Sequence, residues 1–327
     1  MRRRDFVQFL SGAIIAVPCG AAAQAAPKTY QLATLNPRAP ITAESPFGSI
    51  LVRELAQRGY RLGQNLVFDA RGADGKIALL PQLARELAAS KVDAVVASNY
   101  PTAVALKPTG VPTVIVAGAG DPVATGLIDG LARPGGNITG ISDVVTTLTT
   151  KRLGLLKGAV PNLRKVAMLW NKNDLAMTLR YEASAQAAVT LGVTVQPLGV
   201  GEPNDFDEAF AVMNREPPDA ILMVSDTLAV LNRRRVFEYA AARRVPAIYE
   251  NDSYVRDGGL MSYGADLNEC YVRAASLVDR IFKGAKPADL PFELPTRYLF
   301  VINLKTAKSI GLELPATLLA LADEVIE

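Results

Sequence analysis

Ser98-Asn99-Tyr100-Pro101-Thr102 follows the apolar run Val95-Val96-Ala97, and Ser225-Asp226-Thr227 follows the apolar stretch 219–224. Each places hydroxyls, an amide or a carboxylate where a strand-like run gives way to a helix-like one. Groups at such a place cap the next helix by accepting from its free N–H groups. Alternatively they turn toward a small molecule beside those N–H groups, a setting that suits a carboxylate. Both readings stand for Ser98, Asn99 and Thr102. Ser225 and Asp226 end the second run, and Asp226 either caps the helix expected at 228–242 or meets a solute's amine. Gly118-Ala119-Gly120-Asp121-Pro122 follows Val116-Ala117, and its Asp121 either touches a solute or fixes its own loop. This Gly-x-Gly is not a dinucleotide fingerprint, because Val123 occupies the third glycine position and the loop is not the first strand-to-helix turn. Trp170-Asn171, Tyr249-Glu250 and Tyr263-Gly264 end or flank three further strand-like runs. A tyrosine offers a ring face and a hydroxyl together, which suits an amino-acid-sized solute. Tyr249 and Tyr263 serve equally well as hinge packing, and Trp170 as core.

The same inventory excludes much chemistry. The 327 residues contain no histidine, which removes Ser-His-Asp and Cys-His catalysis and every imidazole zinc site. Of the two cysteines, Cys19 lies in the N-terminal leader described below. Cys270 alone forms neither an internal disulfide nor a multi-cysteine metal site. No pair of acids stands at a spacing that singles it out. The chain is therefore expected to have no catalytic residue, metal or cofactor, with a histidine-free exported enzyme as the alternative. The net charge is +3, and residues 1–26, with three arginines and one aspartate, hold two of those charges. No basic face remains for nucleic acid.

Loops of this kind need strands and helices to aim them. From residue 29 the chain alternates strand-like runs at 29–35, 65–71, 93–97 and 111–117 with helical patterns at 49–58, 76–90 and 101–107. Residues 118–142, rich in Gly, Pro and Asp, interrupt the rhythm. It then restarts, with strands at 165–170, 193–198, 219–224 and 247–250 and helices at 150–158, 176–191, 206–214 and 228–242. A second crossing is expected at 258–265, a long helix at 267–283 and a strand at 298–303. The rhythm implies parallel sheets with helices on both faces. The expected fold is α/β, two doubly wound parallel-sheet lobes joined by a multi-segment hinge. Residues 27–141 with 266–293 would form the N-terminal lobe, and 142–265 with 294–327 the C-terminal lobe. In open parallel sheets, ligands bind beyond the carboxyl ends of the strands, so the six loops above are the candidates.

Residues 1–26 read as an export leader. Arg2, Arg3 and Arg4 precede an apolar run at 9–16, and Ala21-Ala22-Ala23 offers a small-residue cleavage site. Arg3-Arg4-Asp5-Phe6-Val7 resembles a twin-arginine signal, with the Sec route open too. A periplasmic mature protein follows.

The chain resembles the periplasmic ABC-transporter substrate-binding proteins of the tryptophan/tyrosine-binding type, with the type I periplasmic-binding fold. The matching pieces run in order along about 300 residues. They are the Arg-Arg-Asp-Phe leader, Gly63-Gln64-Asn65-Leu66, Gly120-Asp121-Pro122-Val123, and Leu131-Ala132-Arg133-Pro134-Gly135-Gly136-Asn137-Ile138-Thr139-Gly140. Later come Val245-Pro246-Ala247-Ile248-Tyr249-Glu250, Gly258-Gly259-Leu260-Met261-Ser262-Tyr263-Gly264 and Val301-Ile302-Asn303-Leu304-Lys305-Thr306-Ala307-Lys308. The resemblance implies a monomer that closes its lobes on a small solute, an amino acid or an aromatic or aliphatic carboxylate. It also implies an ABC permease in the inner membrane as partner, and it supports Asp226 as the acid for an amine. A periplasmic sensor feeding a membrane signalling protein is the alternative. One loop departs from the family: Asn36-Pro37-Arg38-Ala39-Pro40 replaces a Gly/Ser-rich turn, and Arg38 either pairs with an anionic ligand or is solvated.

Overall fold

The structure is a computed structural model that describes residues 28–142 and 145–327; the expected leader lies outside them. The first half runs β1 (Tyr30–Asn36), α1 (Pro46–Gln57), β2 (Leu66–Gly72), α2 (Leu80–Ala89), β3 (Ala94–Ala97), α3 (Tyr100–Leu106), β4 (Thr113–Ile115) and β5 (Ile138–Gly140). The second half runs α4 (Val145–Ala159), β6 (Lys165–Asn171), α5 (Leu175–Thr190), β7 (Thr194–Val200), α6 (Asp205–Arg215), β8 (Ala220–Met223), α7 (Thr227–Arg243), β9 (Ala247–Tyr249), α8 (Asp252–Arg256) and β10 (Met261–Ala265). The chain ends with α9 (Leu267–Phe282), β11 (Tyr298–Asn303), α10 (Leu304–Ser309), α11 (Ala316–Leu319) and β12 (Glu324–Ile326).

The strands form two sheets, β2-β1-β3-β4-β5 and β12-β11-β10-β9-β8-β6-β7. Every pairing is parallel except β10 with β11. Strand alternation splits the apolar side chains of each sheet between two layers. In the first sheet, Leu32, Ala94, Val96 and Val114 face α1 and α9, while Ala33, Leu35, Val95 and Ile115 face α2 and α3. In the second, Val166, Met168, Leu222 and Ile248 face α4 and α5, while Ala167, Leu169, Ile221 and Tyr249 face α6 and α7. Burial on both faces is why these strands are continuous apolar runs.

The helix α9 shows why the lobes are not consecutive in sequence. Its buried residues Cys270, Tyr271, Ala274, Leu277, Val278 and Ile281 form one stripe. That stripe packs on Ile50, Leu51 and Leu55 of α1, in the first lobe's core. The chain therefore returns from β10 to the first lobe and leaves again for β11. The passages run side by side: Ser142 N–H donates to Glu293 C=O (2.8 Å), Glu293 N–H to Gly140 C=O (2.8 Å), and Asp266 N–H to Arg297 C=O (3.0 Å).

The strand expected at 111–117 is only Thr113–Ile115, and Pro112, without an N–H, cannot extend its donor ladder. The crossing expected at 258–265 is mostly β10, and the passage starts at Asp266. Helix α8 and strand β12 had no sequence signal long enough to register. Among the described residues, no helix is long and apolar enough to cross a membrane.

Gly264 in β10 marks a close approach, since a Cβ there would overlap the Glu250 carbonyl oxygen. Gly264→Ala is expected to cost about 1–3 kcal/mol through this overpacking. A urea denaturation series would show it as a lower midpoint at an unchanged slope.

Candidate functional site

The carboxyl ends of strands from both sheets face each other across a cavity of about 530 Å³. The residues just beyond β1, β3, β4, β8, β9 and β10 form much of its wall, as the strand-end rule requires. Arg38, Phe47 and Asn99 line it from the first lobe, and Arg152, Arg180, Ser225, Glu250 and Tyr254 from the second.

A buried ion cluster forms part of that wall. Glu250, next after β9, is 7% exposed. Its Oε1 accepts from Arg152 Nη1 on α4 at 2.8 Å, and its Oε2 from Arg180 Nη1 on α5 at 2.7 Å. The Ser225 N–H donates to the same Oε2 at 2.9 Å, and Arg152 Nε donates to the Tyr263 carbonyl at 2.7 Å. Burial by itself would raise the Glu250 carboxyl. The two guanidiniums and the Ser225 amide outweigh burial and hold it below the usual carboxylate range.

Two more carboxylates sit at helix starts nearby. Asp226 caps α7, accepting from Ala229 N–H at 2.7 Å and from Asn171 Nδ2 at 2.6 Å. Burial raises it despite these bonds. Asp174 caps α5 through Met177 N–H. Burial first, and then the Asp226 charge, push its carboxyl up to about 6.

Asn99 contributes strain. Its φ of 68° and ψ of 153° lie in a region that non-glycine residues rarely adopt. The Asn99 N–H to Ala117 C=O bond (2.9 Å) and the Tyr100 N–H to Gly118 C=O bond (3.0 Å) hold it there. Gly118 follows with a φ of 75°, and a Cβ on it would run into the Asn99 side chain. The outcome is an amide aimed across the cleft: Asn99 Nδ2 donates to Thr227 Oγ1 at the start of α7 (3.3 Å).

Of the residues selected from sequence, Asn99, Ser225 and Asp226 line the cavity. Asn171 stands behind Asp226 as its donor. Ser98 donates to Asn36 Oδ1 and braces the loop after β1. Thr102 is fully buried in α3. Asp121 accepts from the N–H groups of Val123 and Ala124 in its own loop. Tyr249 is buried against Tyr254 and Phe237 in the second lobe's core, and Tyr263 stacks on Tyr298. None of these last five lines this cavity. The strand-end rule reached Glu250 but gave it no job. Arg152 and Arg180 carried no local signal, because each is one cation on a helix otherwise read by its apolar face. Among the described residues, no three Asp, Glu, Cys or His side chains converge as metal ligands.

Comparison with known proteins comes from three directions. Residues 50–326 match the family model described as ABC transporter substrate binding protein. A tyrosine-binding protein of Clostridioides difficile (strain R20291) is 24% identical over 263 residues, which are 80% of this chain and 75% of that protein. The crystal structure of a conserved domain protein from Vibrio cholerae is similar with a TM-score of 0.84 and 26% identity, covering 91% of this chain and all of that one. An ABC domain from Streptococcus pneumonia in complex with L-Trp is similar with a TM-score of 0.83 and 25% identity, at the same coverage.

Two measurements check the site's electrostatics. Glu250→Gln leaves two buried guanidiniums facing a neutral amide, and is expected to cost about 3–5 kcal/mol of stability. Chemical denaturation at neutral pH would show it, and a loss under 1 kcal/mol would contradict the geometry. Asp174 binds its proton more tightly in the native state than in the unfolded chain, where the ordinary value is 3.8. Its contribution is therefore greatest below about pH 4 and is lost as pH rises through about 6. Asp174→Asn keeps a capping oxygen and removes the buried charge. At pH 8 it is expected to be more stable than wild type by on the order of 2–3 kcal/mol, with little advantage at pH 4.

Proposed function

Since the chain belongs to the ABC transporter substrate binding protein family, we propose that it is the extracytoplasmic capture component of an import system. In this reading it takes a small solute into the cavity between the lobes, closes on it and presents it to an ABC permease in the inner membrane. The solute is an amino acid or an aromatic or aliphatic carboxylate. The leader at 1–26 carries the chain to the periplasm, by the twin-arginine or Sec route, with cleavage near Ala23. The mature protein acts there as a monomer, with no cofactor.

The observation that carries this reading is the cavity at the facing strand ends, walled by both lobes and lined by charged and polar groups beside apolar ones such as Phe47, Leu148 and Val230. A pocket of this size suits a molecule of amino-acid dimensions. Contact between the lobes supports closure as the working motion. The Asn99–Thr227 bond spans them, and Gly120 lies so near Ala176 that a Cβ on it would crowd the α5 residue. Multi-segment passages like the three here permit hinge motion, because each changes little while the lobes swing. The tyrosine-binding and L-Trp-bound relatives support an amino-acid-sized occupant.

A thermal-shift screen of amino acids and organic acids against the purified mature chain tests the reading. A true solute at 100 times its dissociation constant is expected to add about 2.7 kcal/mol of stability. Recovery of the solute chemically unchanged is also expected. Conversion to product, or no shift with any member of the screen, would count against capture.

A further inference from the structure

Eight charged residues line the cavity, and seven have partners within the protein. Arg152 and Arg180 share Glu250. Asp226 accepts from Asn171 and Ala229. Asp252 pairs with Arg256, and Asp266 faces Arg297 while accepting from the Asn268 N–H. Arg38 is the exception. It has no ion pair among the described residues, and its Nε is buried without a hydrogen-bond partner. A buried donor left unmatched is costly, so an acceptor brought by the solute would recover that cost.

The loop that carries Arg38 is built to hold it still. Pro37 precedes it and Pro40 follows, each with its φ set by its ring. The Arg38 carbonyl accepts from Asp74 N–H (3.2 Å), and the Pro37 carbonyl from Gly75 N–H (2.9 Å). Asn36 Nδ2 donates to the Ala39 carbonyl at 2.8 Å. Gly72 lies against this backbone so closely that a Cβ there would strike both the Arg38 carbonyl and Pro40. A fixed backbone lowers the entropy cost of gripping an anion. The Arg38 charge also acts on the hydroxyls of Tyr254, from the second lobe, and Tyr271, from the first. The guanidinium thus acts on groups of both lobes. Beside it, Phe47 lies flat on Tyr271 with ring centroids 4.6 Å apart and gives the cavity an apolar wall.

Glu250 and Asp226 in the wall offer an amine much less. Glu250 has both oxygens on guanidiniums, and the two oxygens of Asp226 accept from Ala229 N–H and Asn171.

We propose that Arg38 is the specificity-determining anion anchor of the cleft, selecting an organic acid whose carboxylate meets its guanidinium and whose apolar body lies along Phe47. The solute needs no amine. This rests on the capture reading above and narrows its substrate class.

The test uses matched probes that share a body and differ in charge. For phenyl, indole and isobutyl bodies, the acid, amino acid, amine and alcohol are titrated into wild type, Arg38→Gln and Arg38→Lys by calorimetry. The unliganded melting temperature of each variant confirms folding. Acids are expected to bind wild type most tightly, with amines and alcohols silent. Arg38→Gln should weaken the best acid about tenfold or more, and Arg38→Lys should weaken it less. Unchanged acid affinity in Arg38→Gln would overturn the assignment, and so would a body that binds only when its amine is present. Silence of every probe on wild type would instead overturn capture itself, and the two failures are told apart before any variant is used.

Discussion

The Glu250 cluster is the interaction around which the second lobe and its half of the cavity are arranged. One carboxylate joins α4, α5 and the turn after β8, and Arg152 extends the join to β10 through the Tyr263 carbonyl. A buried ion pair adds little net stability compared with a well-packed apolar substitute, but breaking one is expensive because it strands a charge. Its effect is therefore on position. Any shift of α4 or α5 relative to the strand ends would pull a guanidinium away from Glu250 in a dry setting. Gly264 belongs to the same arrangement, since only a residue without a side chain lets β10 run so close to the Glu250 carbonyl.

The first lobe positions its groups by backbone constraint and, among the described residues, has no comparable charge cluster in the wall. Asn99 is held in a rarely populated conformation by the two bonds around Ala117 and Gly118. Arg38 is fixed by a loop with two prolines pinned to the Gly72–Asp74 turn. The cleft thus sets a rigid polar rim on one side against an ion-paired wall on the other. Asp174 and Asp226 add buried carboxylates at the starts of α5 and α7, and burial raises both. Such groups make the second lobe's rim sensitive to proton concentration, whereas Glu250, despite its burial, is held below the usual carboxylate range by its guanidiniums and the Ser225 amide.

Much of the fold was legible because it follows from local pattern. Runs such as Val95-Val96-Ala97 and Val166–Leu169 are apolar on consecutive residues, which buried parallel strands require. The strand-end rule then selected Asn99, Ser225 and Asp226, which line the cavity. It also selected Thr102, Asp121, Tyr249 and Tyr263, which lie elsewhere in the fold. A strand end specifies which loop faces the cleft, but side-chain direction depends on one residue of register and on what packs behind it. Tyr249 is the last residue of β9 and points into the α6–α7 layer; Glu250, one position on, points toward the cleft.

By itself, the sequence determined the α/β alternation, the lack of histidine chemistry and the loops from which a site must be built. These depend on neighbours along the chain and on residue type. Tertiary structure alone decided that Arg152, Arg180 and Glu250 would meet, that α9 would return to the first lobe, and that Arg38 would enter the cavity with its Nε unpartnered. Those outcomes join residues far apart in the chain, and no local pattern encodes them. They follow from how two sheets bury their faces and which strand ends that burial turns toward each other.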